Sequence, residues 1–168
     1  MRRVIAAATT LALGCSIAAC SSSSSSAPTS TTAQAIATDS SGKPVCSSVK
    51  SALSRQSNQV IAVVLKASGN GKNRTAEINT AASNAKATTQ ELSTALAKLA
   101  PTAPVTEWAQ GQKSYIEGLA QAATSGSGTS KVSSYNAAFQ ASAAGKALLT
   151  HDIEVKSAIS SACQTAGG

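Results

Sequence analysis

The chain has 168 residues, with 14 Lys and Arg against seven Asp and Glu, for a formal net charge of +7. Aromatic residues make up only 2% of it, which argues against the aromatic-plus-basic platforms that hold nucleic acid. The length suits one domain of ordinary size, and Ala stands at many positions where other domains use Leu or Phe, so the core is expected to be thin.

Arg2 and Arg3 open the chain, and residues 4–19 are apolar apart from Thr9, Thr10 and Ser16. That stretch falls short of the roughly 20 apolar residues a comfortable membrane span needs. A short basic start, an apolar stretch and small residues before a cut are the parts of an export signal. The tetrad Ile17-Ala18-Ala19-Cys20 ends it, and Ser21 to Ser26 follow. The tetrad resembles the bacterial lipoprotein signal: an aliphatic residue, a small one, a smaller one, then Cys. The Ala-, Ser- and Thr-rich sequence beyond it is similar to actinobacterial members of that class. The resemblance implies removal of residues 1–19, a diacylglyceryl group on the Cys20 thiol and often acylation of the new amine. Cys15, after Ala12-Leu13-Gly14, is a competing site with a poorer match, and ordinary cleavage is the other alternative. One acyl chain holds a protein only marginally, whereas two or more hold it stably.

Residues 20–45 are mostly Ser, Thr and Ala with Pro28 and Pro44. That composition predicts a disordered tether with a reach of about 25–30 Å. Loss of Arg2 and Arg3 leaves twelve Lys and Arg against seven acids, a net charge of +5. The basic residues form no run and read as a solvated helix surface, or as one drawn to anionic headgroups and envelope polymers.

From residue 46 a helical rhythm takes over. About 46–67 places Val49, Leu53, Val60 and Val64 on one face with Gln56, and ends at Ser68-Gly69-Asn70-Gly71. About 75–100 carries Ile78, Ala81, Ala85, Thr88, Leu92, Ala95 and Leu99, and stops before Pro101. About 104–124 opens at Pro104 and shows Val105, Trp108, Gln112, Tyr115, Leu119 and Ala122. After Ser125-Gly126-Ser127-Gly128, a fourth helix is expected from Thr129 or Ser130 to about 163. Its buried side is marked by Tyr135, Phe139, Ser142, Leu149, Ile153 and Ile159. Gly145 in its middle signals a close approach or a bend. The expected fold is all-α: an Ala-rich, antiparallel up-down four-helix bundle over 46–163, with 164–168 a flexible tail.

Lipidation of Cys20 would leave Cys46 and Cys163 as a pair bracketing the folded part. An exported chain can keep a disulfide, and an up-down bundle brings these two ends together; two free thiols are the alternative. Catalytic patterns are missing. His151, Asp152 and Glu154 do not converge from one helix, and no Glu-x-x-His repeats support a bundle metal site. Gly69-Asn70-Gly71-Lys72 lacks the spacing of a phosphate loop, and Gly126-Ser127-Gly128 is no nucleophile elbow. Trp108, Tyr115, Tyr135 and Phe139 form either a small aromatic core or the lining of a ligand pocket. The expected role is a non-enzymatic, lipid-anchored envelope protein on the extracytoplasmic face, without metal or cofactor. Its expected partners are the membrane, through the anchor, and envelope proteins or anionic lipids and polymers, and not nucleic acid. The alternative role is a small-molecule or lipid-binding bundle.

Overall fold

A computed structural model describes residues 35–126 and 129–165. The expected signal peptide, Cys20 and the linker as far as residue 34 lie outside the described residues. The described part is all-helical apart from one isolated bridge: α1 Cys46–Ala67, α2 Arg74–Leu99, α3 Val105–Thr124, α4 Ser130–Ala141 and α5 Ala143–Thr165.

The first three helices lie close to their expected bounds. α1 buries Val49, Ala52, Gln56, Val63 and Ala67, an i, i+3, i+7 rhythm that makes one stripe. The expected Val60 and Val64 sit beside Val63, partly buried at the edge of the same face. α2 buries Ile78, Leu92, Leu96 and Leu99 with Ala82, Ala85 and Ala95 between them. The small residues let α1 and α3 approach closely. Arg74, the first residue of α2, closes the far end of the domain. Its guanidinium donates to the carbonyls of Ala67, at 3.0 Å, of Gly126, at 2.7 Å, and of Ala123. One side chain thus serves the last carbonyls of α1 and α3, which a helix end leaves without intrahelical partners.

The expected fourth helix is two helices, so the four-helix count is corrected to five. Ser142 separates them with an extended backbone, φ −73° and ψ 162°. Its N–H donates to the carbonyls of Ala138 and Phe139, ending α4. Its Oγ accepts from the Gly145 N–H at 3.1 Å, the bond an N-cap serine makes to open a helix. Gly145 is required here: a Cβ would lie 2.0 Å from the Phe139 carbonyl oxygen. Helix propensity alone predicts that Gly145→Ala stabilises by about 1 kcal/mol. The backbone clash reverses the sign, and we expect a loss of about 1–3 kcal/mol, measurable by denaturant unfolding.

α4 and then α5 run antiparallel along α3. Tyr135 meets Gly118, Leu148 meets Gly111, and Asp152 meets Trp108. The break also resets the helical phase. α5 buries Gly145, Val155 and Ile159, while Leu149 and Ile153, expected inside, are 52% and 60% exposed.

The core divides in two. The lower cluster, nearer the start of α1, holds Val49, Leu92, Leu96, Leu99, Val105, Trp108, Val155 and Ile159. The other holds Val63, Ile78, Ile116, Leu119, Ala123 and Val132. Gln56 lies at mid-height, where its Nε2 donates to Thr89 Oγ1 at 3.4 Å and to Gln112 Oε1 at 3.2 Å. The Thr89 hydroxyl donates in turn to the Ala85 carbonyl at 2.8 Å.

The expected tether is also corrected at its end. Residues 37–45 form a closed turn, with Thr38 bridged to Pro44 and the Val45 N–H bonded to the Ala37 carbonyl. Asp39 Oδ1 accepts from the Ser41 N–H, the Ser41 hydroxyl and the Lys43 N–H. These bonds, the Ser41 hydroxyl foremost, hold the Asp39 carboxyl below its ordinary pKa. Gly42 takes the left-handed conformation the turn requires, φ 77°. Ile36 packs on the lower core, and the Ala37 N–H donates to Ser48 Oγ in the first turn of α1. The helical end of the domain also extends two residues past 163, to Thr165.

Candidate functional site

Cys46 and Cys163 form a disulfide, with Cα atoms 5.8 Å apart and 117 residues between them in sequence. The bridge joins the first residue of α1 to the last turns of α5. Those helices otherwise share little direct backbone packing, so the covalent link holds the two ends of the folded chain together.

The four aromatic residues divide between the two halves of the core. Tyr115, Tyr135 and Phe139 meet as a trio, with ring centroids 5.0–6.1 Å apart, the separation at which aromatic rings attract one another. Tyr115 donates to Asn136 Oδ1 at 3.0 Å, and Tyr135 to the Tyr115 carbonyl at 3.3 Å. Tyr135 fills the space that a side chain at Gly118 would need: a Cβ there would lie 2.2 Å from its hydroxyl oxygen. Burial raises the Tyr115 phenol above its ordinary pKa, with Tyr135 adding to the effect, and burial alone raises Tyr135. Both phenols therefore stay neutral hydrogen-bond donors near pH 7. The fourth ring stands apart. Trp108 is 1% exposed in the lower cluster, and its indole N–H donates to Asp152 Oδ1 at 3.1 Å. The structure thus groups three of the four expected pocket residues, and these three pack on one another.

His151 and Glu154 do share a face, as their i, i+3 spacing requires, with Nδ1 3.4 Å from Oε2. Asp152 is turned away from them toward Trp108, and its second oxygen accepts from Lys156 Nζ at 2.6 Å. The indole partner of Asp152 lies 44 residues away, and no local pattern announces such a pairing. Among the described residues, no group of three or more His, Cys, Asp and Glu side chains is placed to hold a metal ion.

A surface recess of about 280 Å³ lies between α2 and α3, over Ala82, Ser83 and Ala120. Lys86 and Glu117 face one another across it at 3.9 Å. None of the four aromatic residues lines it. No protein-family model, curated protein or solved structure matches the chain.

Proposed function

We propose that the protein is anchored by lipid at Cys20 to the extracytoplasmic face of the cell membrane. Its helical domain acts there by contact, as an interaction or accessory module, and not by catalysis. The observation that carries the reading is the Cys46–Cys163 disulfide. Such bonds persist in oxidising compartments and are rare where cellular thiols stay reduced. An exported chain with a matching acylation tetrad and a stapled domain is consistent with itself at each step. Among the described residues, no helix is long and apolar enough to cross a membrane, so retention would fall to the acyl chains. The partners proposed are envelope proteins, anionic lipids or anionic polymers.

Cys20→Ser tests the anchor. We expect the protein to leave the membrane fraction and appear in the soluble or extracellular fraction, because the acyl chains supply the stable attachment. Equal membrane retention of the serine variant would overturn the anchor.

A further inference from the structure

Four large apolar side chains among the described residues stand more than half in solvent: Ile61, Leu65, Leu149 and Ile153. Scattered exposed apolar residues are ordinary. These four come as two i, i+4 pairs, each a short ridge on one helix, Ile61 with Leu65 on α1 and Leu149 with Ile153 on α5.

The two ridges lie on one side of the domain. The disulfide fixes the common end of α1 and α5. Along the helix axes, Ile61 is about 22 Å from it and Leu149 about 21 Å. At about 100° per residue, Ile61 lies about 60° round α1 from Cys46. Leu149 and Ile153 lie about 40° and 80° round α5 from Cys163 by the same geometry. On α1 this rotation leads away from the buried stripe of Val49, Ala52, Gln56 and Val63. On α5 it leads away from α3, where Leu148 meets Gly111. Because the helices are antiparallel, both rotations carry the ridges to the same outer side of the α1–α5 pair.

Charge is divided in the same way. The helices α1, α4 and α5 carry six Lys and Arg against two acids, and α1 has no acid at all. The helices α2 and α3 carry four against four. Arg55 and Lys66 turn to Glu91 and Glu77 of α2, but Lys50 and Lys146 are exposed beside the ridges, by the same geometry about 40° round α1 from Cys46 and about 100° round α5 from Cys163. Apolar ridges with basic neighbours are the combination that binds an interface of acyl chains and anionic headgroups.

We infer that the α1–α5 side docks on an anionic bilayer surface. Ile61, Leu65, Leu149 and Ile153 enter the headgroup region, and Lys50 and Lys146 face lipid phosphates. The inference deepens the membrane-anchor reading and rests on it for location: a short tether holds the domain at high local concentration beside the bilayer. The docking itself is tested without the anchor. The mature chain carrying Cys20→Ser is mixed with vesicles of phosphatidylcholine, or of equal parts phosphatidylcholine and phosphatidylglycerol, and sedimented. We expect binding to the anionic vesicles only. Replacing all four apolar residues by Ser should weaken it about tenfold or more, and Lys50→Glu with Lys146→Glu should weaken it further. Exposed positions tolerate such changes, so circular dichroism and the unfolding midpoint should hold. Equal binding by the four-residue variant, or no preference for anionic lipid, would overturn the inference. So would a wild-type dimer in solution that the four substitutions dissolve, which would assign the ridges to a second copy. Neither result depends on whether Cys20 is acylated.

Discussion

Reducing the Cys46–Cys163 bridge, or replacing both cysteines by Ser, will lower the unfolding free energy by about 2–5 kcal/mol. In the chain-entropy account, a loop of 100 residues closed in the unfolded state is worth up to about 4.7 kcal/mol, and the bridge here spans 117 residues. For a domain of this size the midpoint should fall by about 10–20 °C. The fold sharpens the reason. α5 is held chiefly through α3, with little direct backbone packing on α1. Without the bridge, the last turns of α5 keep only Val155 and Ile159 in the lower cluster as fully buried anchors. Hydrogen exchange should therefore show the end of α5 opening first. Unchanged unfolding under reducing conditions would mean that the bridge does not restrain the chain.

Trp108→Ala should destabilise by a comparable amount, about 3–5 kcal/mol. Trp108 is the largest fully buried side chain, and it touches a core otherwise built from Val, Leu, Ile and Ala. Small neighbours have few rotamers with which to fill the vacated space, so the cavity should persist. The substitution also removes the donor to Asp152 Oδ1, though Lys156 still holds the other oxygen at 2.6 Å. Trp108→Phe separates the two effects. It keeps most of the packing and loses the indole N–H, and it should cost less than the alanine variant. Urea unfolding followed by circular dichroism gives both values, and an unchanged slope with a shifted midpoint identifies a true loss of stability.

Much of the fold was legible because turn residues punctuate the chain. Gly69 to Gly71, Pro101 and Ser125-Gly126 mark ends that periodicity then fills with helices. The disulfide was legible from cysteine number and from a topology expected to bring the two chain ends together, and α4 with α5 covers the stretch of sequence expected of one helix. What was missed is local geometry hidden by composition. Ser142 is a helix start, yet Ser and Ala occur throughout this chain's helix interiors, so its capping role does not stand out. Missing it put Leu149 and Ile153 on the wrong face, because a break shifts the phase of every residue after it. The turn at 37–45 was hidden in the same way. Asp39-Ser40-Ser41-Gly42 carries a turn signal, but it lies in a Ser/Thr-rich stretch that reads as tether. All four aromatic residues were expected in one group, and Tyr115 of α3 does join Tyr135 and Phe139 of α4. Trp108 does not, because it lies two turns away from Tyr115 along α3, in the other half of the core.

We propose an exported, lipid-anchored chain whose helical domain is closed by a disulfide. Intact-mass measurement of the protein extracted from membranes without reductant tests it most directly. The account predicts a chain beginning at Cys20, heavier by its acyl groups, with Cys46 and Cys163 lacking two hydrogens that reductant restores. A chain that keeps residues 1–19, an unmodified mature N-terminus, or free thiols at Cys46 and Cys163 would contradict it.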